Sequence, residues 1–519
     1  MNGSISWSRG YPVRESYPAS WHSFQSPAHL RVICTLMGVA WEVGPDTPLA
    51  IAEVGCGTGY TAQMLAAGNP HWQVVGLDYN PAHIAEARSM ATAADLNNLQ
   101  FLESDLAELS DADLERLPEF DLITVHGVWS WVSDPVRQGV LRLLQRRLKA
   151  GGLALVSYNA LPGAADGIGL ARLIRTTLMA NGGNSDGLAM AAKQVERLVT
   201  AEASHLPASL WRRLLTGDVK GARPGYLLHE FLTEHWRPSF HGDVGSALST
   251  VRCEYVGSAT IDENFPQLSL SSEQRELWDE APDSAARELI FDLSVGRAFR
   301  RDLYVRGVRR VPRDAAVDAL WVALATDKQG EVTLKTQAGE ATLPQALMDA
   351  VRTRLRLGPA TIGALRTLPD SGTVTPSELL AILVGSRCAV PLWRQPGTGA
   401  DWAQSLAAAR RFNRVASERL APFGMGEGNL GLATPALGGG LPALPLDLAV
   451  AQQLLSGTVT NADGHVGEAG DVRDEAVSLV QRILPPDSAH DAHVIAELEL
   501  AVAGILRERR PVWKALGIL

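Results

Sequence analysis

The chain has 519 residues, too many for one ordinary domain and enough for about three or four. Hydrophobic residues make up 46% and charged residues 20%, which excludes a disordered chain and leaves material for real cores. A formal net charge of -10 argues against tight, non-specific nucleic-acid binding, which draws on dense Lys/Arg patches, while staying compatible with a basic protein partner.

Residues 1 to about 30 are rich in Tyr, Trp, Pro and Ser and read as an irregular lead-in, followed by a helix near Pro27–Val39. From Leu49 short apolar runs alternate with helical stretches: LAIAEVG, WQVVGLD, LQFLESD, FDLITVHG and GLALVSYN as strands, with YTAQMLAAG, PAHIAEARSMATAADL and VRQGVLRLLQRRLKAGG as helices. Such alternation predicts a parallel sheet covered on both faces, an α/β fold. After Pro162 the character is helical, with apolar residues at helical spacing in Leu170–Met179 and Met190–Leu206. A composite segment follows from about Tyr226 to Gly307. Asp314–Leu347 reads as mixed α/β, Pro376–Cys388 as a helix with a short apolar continuation, and Asp474–Leu519 as mostly helical. Gly- and Pro-rich loops are expected at Gly397–Ala400 and Thr434–Pro445. Four scattered cysteines, Cys34, Cys56, Cys253 and Cys388, form no zinc-type spacing and read as free thiols. With no signal-type N-terminus and no run of roughly 18 apolar residues, the expectation is a cytoplasmic protein without a membrane span.

The most informative stretch is Glu53-Val54-Gly55-Cys56-Gly57-Thr58-Gly59, at the end of the first strand. Glycines at alternate positions permit a tight turn and close backbone approach to a ligand, and the next helix offers free N–H groups. Alone this loop is weak evidence, because dinucleotide-binding folds use a related one. Three features sharpen it toward S-adenosylmethionine. Glu53 places a carboxylate where it can face the cationic amino-acid part of that molecule. Asp78, followed by Tyr79, ends the second strand, where a carboxylate can accept both ribose hydroxyls. Ser104-Asp105 ends the third strand, where Asp105 can accept from the adenine amino group while Leu106 packs near the ring. Each has a plain structural alternative; Asp105, for one, could simply cap the following LAEL. Together, in order and at strand tips, they predict an S-adenosylmethionine site formed by Glu53, Gly55, Cys56, Gly57, Gly59, Asp78, Tyr79, Ser104, Asp105, Leu106 and His126, with S-adenosylhomocysteine as product and no metal. A hydride-transfer reading is weaker, because Gly57-Thr58-Gly59 followed by Tyr60 lacks the usual third glycine spacing.

The series EVGCGTG, LDYNP and ESD resembles the class I methyltransferases, which implies a Rossmann-like core. VHGVWSWVSDPVR (125–137) and ALVSYNALPG (154–163) resemble bacterial protein-lysine methyltransferases described for rickettsial outer-membrane proteins. YLLHEFL (226–232), WRPSFHGDV (236–244) and FDLSVGRAFRRDLYVRG (291–307) resemble the methyltransferase regulatory domain of that family. The resemblance covers roughly residues 11–310 and is patchy beyond, where QLLSGT (453–458) is similar to a fragment of the family's C-terminal domain. It implies a methyltransferase domain over 1–162, a helical insertion over 163–225 used for homodimerisation, a regulatory-like middle domain over 226–310 and a C-terminal region over 311–519 with winged-helix character. It also implies transfer to lysine side chains of a protein.

Methyl transfer is an in-line displacement from a sulfonium, so the protein must align and desolvate the reacting pair. A lysine acceptor has an unperturbed pKa of about 10.4 and must lose its proton to attack. At the fourth strand tip, His126 is a candidate positioning or catalytic residue, or simply a hydrogen-bonded histidine. Trp129 and Trp131 could hold an ammonium by cation–π attraction, or be ordinary core residues. Tyr158 and Asn159 at the fifth strand tip, and Tyr17 and Trp21 in the lead-in, complete the candidates for a lid or channel. His229-Glu230 and His241 with Asp243 have no recognised metal spacing and read as a hydrogen-bonded structural cluster. Arg297, Arg300 and Arg301 read as a basic, solvated helix face.

Three functions compete: protein-lysine methylation, small-molecule O- or N-methylation in a biosynthetic pathway, and a non-catalytic protein binding DNA through a winged helix. The last predicts a coherent basic surface after residue 309, which the sequence does not display, so no nucleic-acid partner is expected.

Overall fold

The computed structural model describes residues 10–11, 18–204, 206, 224–328, 330–336, 339–372, 374–426, 429–456, 472–484 and 492–519. The five expected strands form: β1 (Ala50–Val54), β2 (Gln73–Asp78), β3 (Leu99–Glu103), β4 (Phe120–Val125) and β5 (Leu148–Asn159). All five run parallel. Two strands not expected from the sequence, β6 (Cys253–Ser258) and β7 (Phe299–Arg306), add antiparallel to one side. The result is a seven-stranded sheet in the order β3-β2-β1-β4-β5-β7-β6. The five parallel strands and the segment after residue 250 therefore share one hydrogen-bonded layer.

Helices cover both faces. On one side α1 (Pro27–Leu36), α2 (Tyr60–Gly68) and α3 (Pro81–Ala93) close a core that continues into the C-terminal third. Pro at the first turn and a side-chain cap, Ser26 for α1 and Asn80 for α3, start two of these helices where the sequence predicts them. On the other side Asp134–Arg147 and His241–Ser249 bury Val140, Leu144, Val244 and Leu248 against β4 and β5. Helices Asp166–Ala180, Ser185–Thr200 and Pro224–Leu232 form a separate small core around Ile174, Leu178, Val195 and Leu228. Among the described residues no helix is long and apolar enough to cross a membrane.

The C-terminal third holds a three-stranded antiparallel sheet (Ala360–Thr361, Trp321–Leu324, Ala389–Pro391) and a long helix, Trp402–Leu420, that packs on α2. One expectation is corrected here. Thr434–Pro445 is not simply a loop: it carries the 3-10 turn and second strand of a β-hairpin, Leu430–Thr434 with Gly439–Ala443, and Pro445 starts a helix, Pro445–Ser456. The glycines serve close packing rather than flexibility. A Cβ on Gly431 or Gly439 would lie 2.7 or 2.6 Å from the Trp21 ring, and one on Gly440 would lie 2.5 Å from Met64 Sδ. Trp21 Nε1 donates to Gly440 O, and Tyr60 Oη donates to Gly431 O, so this hairpin clasps the lead-in and the first residue of α2.

Candidate active site

The C-terminal tips of β1 to β5 open into a cavity of about 1070 Å³, more than one drug-sized ligand usually fills. Its first wall is the glycine loop after β1. Gly55, Gly57 and Gly59 have φ of +67, +54 and +74°, a left-handed backbone that glycine adopts without strain. Gly55 and Gly59 also have no room for a side chain, since a Cβ would lie 2.4 Å from Val128 and 2.3 Å from Phe101. Gly57 differs: a Cβ there would meet no protein atom within 4 Å, and the same holds for Gly127 after β4. Both line the cavity. The backbone is bare where a cofactor must lie against it, which fits S-adenosylmethionine.

Glu53 reaches under this loop and accepts from Ala62 N–H at 2.9 Å, at the start of α2. Burial pushes its carboxyl up to about 8, helped by nearby Asp78 and opposed by the hydrogen bonds from Ala62 and Thr61. Between its unfolded value of 4.5 and about 8, the folded chain keeps a proton that the unfolded chain releases. This group therefore makes stability fall as pH rises through that window and level off above it, by on the order of a few kcal/mol. Glu53→Gln is expected to remove that component. Urea unfolding of both proteins between about pH 5 and about pH 8.5 checks it, and parallel pH dependences would contradict it.

Asp78 is tied into the same loop. Its Oδ2 accepts from Gly57 N–H at 2.8 Å and its Oδ1 from Asn80 N–H at 2.8 Å. A carboxylate oxygen has two lone pairs, so each keeps one for a ligand hydroxyl. His83 Nδ1 stands 3.4 Å away. Tyr79, Ser104, Asp105 and Leu106 continue the wall across β2 and β3. Asp105 Oδ1 accepts from Ala107 N–H at 2.9 Å, so its local turn role and an outward role coexist. Cys56 lines the cavity too, with burial pushing its thiol well above the ordinary value. Every residue expected on the cofactor side except Gly59 lines the cavity, and Gly59 sets the turn that starts α2.

The opposite half is built from β4, β5 and β7. His126 follows β4, and its Nδ1 lies 2.7 Å from Ser157 Oγ. Ser157, fully buried on β5, also accepts from Gly127 N–H at 2.9 Å. Burial, then the neighbouring His22 and Arg301, hold His126 well below its ordinary pKa, so the ring is neutral. Trp131 and Asn159 line the cavity, and Asn159 Oδ1 accepts from Trp236 Nε1 at 3.1 Å. The Trp131 and Trp236 rings are 5.9 Å apart.

Four expected site residues are not at the cavity or cannot be placed. Trp129 is buried on the other side of the sheet, packed with the second core. Tyr158 alternates away from Ser157 and Asn159 along β5, and its hydroxyl donates to Asp302 at 2.5 Å. Trp21 is buried against the C-terminal hairpin. Tyr17 lies outside the described residues. The basic run is also corrected. Arg300 and Arg301 are on strand β7, not a helix; Arg297 and Arg300 are buried, and Arg301 lines the cavity. His241 belongs to a buried hydrogen-bonded cluster, with Nδ1 2.9 Å from Asp302 Oδ2. Asp243 lies apart from it beside a small second cavity, and the His229 side chain is outside the described part. Among the described residues no group of three or more His, Cys, Asp or Glu could hold a metal ion.

Sequence reasoning missed His22, Phe299 and Arg301, which line the cavity. For Phe299 and Arg301 the signal was the two-residue period of FRRDLYVR: these two face the cavity while Arg300 and Asp302 face away, and His22 carried no such signal.

Residues 52–154 match the methyltransferase domain family and residues 223–306 the predicted methyltransferase regulatory domain family. An uncharacterized protein of Synechocystis sp. is 27% identical over 73% of this chain and 75% of its own length. The trans-aconitate 2-methyltransferase of Deinococcus radiodurans is 34% identical over 22% of this chain and 40% of its own. The structure of PKMT2 from Rickettsia typhi in complex with AdoHcy is similar over 97% of this chain and 99% of that one, with a TM-score of 0.67 at 17% identity. The chain is an S-adenosylmethionine-dependent methyltransferase, with a class I cofactor-binding core and a methyltransferase regulatory domain.

Proposed function

We propose that this enzyme methylates lysine side chains of a protein. The observation that carries the reading is the aromatic wall of Trp131, backed by Trp236, on the acceptor half of a cavity larger than the cofactor requires. Aromatic faces stabilise an ammonium or methylammonium without supplying a base. Support comes from the likeness of residues 125–137 and 154–163 to rickettsial protein-lysine methyltransferases and from the full-length likeness to PKMT2.

Bound S-adenosylmethionine supplies a methyl carbon on a cationic sulfur. In this reading Asp78 and Asp105 hold the nucleoside, and Glu53 faces the amino-acid half through the loop. Trp131 and Asn159 guide the acceptor, and neutral His126, fixed by Ser157, borders the path between donor and acceptor. A lysine ammonium entering between these residues would first lose a proton to water, and its freed lone pair would then take the methyl group in line, giving a methylammonium and S-adenosylhomocysteine. We propose the same division of the chain, 1–162, 163–225, 226–310 and 311–519, with β6 and β7 of the third part completing the sheet of the first, and the insertion as a homodimer contact.

A second reading, methylation of a small carboxylic acid, is favoured by one observation: Arg301 in the acceptor half. The test is methyl transfer from isotopically labelled S-adenosylmethionine into a lysate, separated into protein and small-molecule fractions. Label on protein lysines is expected, and Trp131→Ala should lower that transfer by about tenfold while leaving cofactor affinity in place. Label only in the small-molecule fraction would move the assignment to the second reading.

A further inference from the structure

The acceptor half carries one feature that a lysine channel does not need. Arg301 is the only Lys or Arg among the described residues that line the cavity. The β5–β7 register explains its place: Ser157 pairs with Arg301 and Asn159 with Phe299, so Arg301 stands beside the serine that holds His126. Its guanidinium lies 4.8 Å from the centre of the Phe24 ring and 5.1 Å from that of Phe299. Both rings in turn meet His126 edge-on, at 5.0 and 6.3 Å. A guanidinium stacked in this way is fixed in orientation without using its N–H groups. Five N–H donors are available, yet the hydrogen bond it makes among the described residues is a single one, Nη1 to Thr260 Oγ1 at 3.1 Å. Its Nε is buried without a partner. Asp262 and Glu263, whose charges reach it from the turn behind, do not line the cavity.

His126 adds a second polar group. Its Nδ1 and the Gly127 N–H both meet Ser157 Oγ, at 2.7 and 2.9 Å, which fixes the ring. The ring lines the cavity and offers a neutral polar group there. A fixed cationic donor and this fixed neutral ring therefore flank the acceptor half, with apolar rings between them.

We propose that Arg301 and His126 form a carboxylate-binding subsite that recognises the acceptor. The shared chemistry is a carboxylate, and its source is either an acidic side chain next to the methylated lysine or a free small acid. The first source rests on the lysine reading above; the second does not. Planar bidentate pairing of guanidinium with carboxylate gives strong, directional recognition.

The test uses the full chain loaded with S-adenosylhomocysteine and three probes: the blocked peptides Gly-Lys-Glu-Gly and Gly-Lys-Gln-Gly, and succinate. The wild-type protein is expected to bind the Glu peptide about tenfold or more tightly than the Gln peptide, with the ratio falling to about one in Arg301→Met. Succinate binding that is lost in Arg301→Met, without discrimination between the peptides, would support the subsite and assign it to a free acid. Label carried by a base-labile ester rather than by lysine would then separate failure of the lysine reading from failure of the subsite. Carboxylate affinities unchanged in Arg301→Met would overturn the proposal. So would a parallel loss of S-adenosylhomocysteine affinity, because the anion would then be the cofactor's own carboxylate. Arg301→Gln, which keeps a polar side chain, repeats the comparison if the Met variant fails to fold.

Discussion

Replacing Arg300 by Met is expected to destabilise the sheet by about 3–5 kcal/mol, the largest single effect foreseen on stability. Arg300 is fully buried between β7 and the helix Ser284–Val295. Its Nε donates to both oxygens of Asp302 at 3.0 Å, its Nη1 to Asp292 at 2.7 and 2.8 Å, and its Nη2 to Glu288 at 2.6 Å. Removing the guanidinium leaves these carboxylates facing one another in low dielectric, with Arg297, 3.3 Å from Asp292, as the remaining cation. Burial alone would raise the Asp302 carboxyl, but Arg300 and the hydrogen bonds from His241 and Tyr158 outweigh it and hold it below its ordinary value. A depressed carboxyl stabilises the fold above its unfolded pKa of about 3.9, and that stability is lost as pH falls further. The wild-type protein should therefore lose this contribution below about pH 4, and Arg300→Met should lack it at neutral pH already. Urea unfolding checks both, and a loss under about 1 kcal/mol would mean the network is dispensable. The same cluster backs the site, since Phe299 and Arg301 alternate with Arg300 and Asp302 on one strand.

Asp78→Ala is expected to weaken S-adenosylmethionine binding by about 1.5–3 kcal/mol, roughly tenfold to more than a hundredfold in Kd. Two effects add. On the proposed assignment the ribose loses a charged acceptor, and the Gly57 N–H loses the partner that fixes the loop, at 2.8 Å. Asp78→Asn separates them, because it can still accept from Gly57 but carries no charge; an intermediate loss is expected. Calorimetric titration gives both values, with circular dichroism confirming that the sheet persists. Unchanged affinity in a folded Asp78→Ala protein would remove Asp78 from the site.

The half of the cavity lined by Gly57, Asp78 and Asp105 was legible because its signals are local. A glycine loop, an acid at the next strand tip and another after it each sit within a few residues of the strand they end, and strand order then aligns them. The acceptor half was less legible because it is assembled across distance. Arg301 reaches His126 only through the antiparallel pairing of β7 with β5, and no local pattern announces that pairing. Charge also misled. FRRDLYVR looks like a solvated basic segment, yet Arg300 is buried because Asp292, Asp302 and Glu288 converge on it from two elements. Tyr158 illustrates the same limit, since neighbours on β5 point to opposite faces and Asn159, not Tyr158, meets the cavity. Trp129 and Trp131 lie in the turn after β4, where no simple period tells which of the two faces the cavity. In the C-terminal third, glycines 439 and 440 read as a loop because the ring and thioether they accommodate, Trp21 and Met64, lie hundreds of residues earlier.

The most direct test of the site is a crystal structure of the protein with S-adenosylhomocysteine. The ribose hydroxyls should lie within hydrogen-bond distance of Asp78, the adenine beside Asp105 and Leu106, and the sulfur toward His126. A nucleoside bound away from the tips of β1, β2 and β3 would contradict the assignment of every cofactor residue named above.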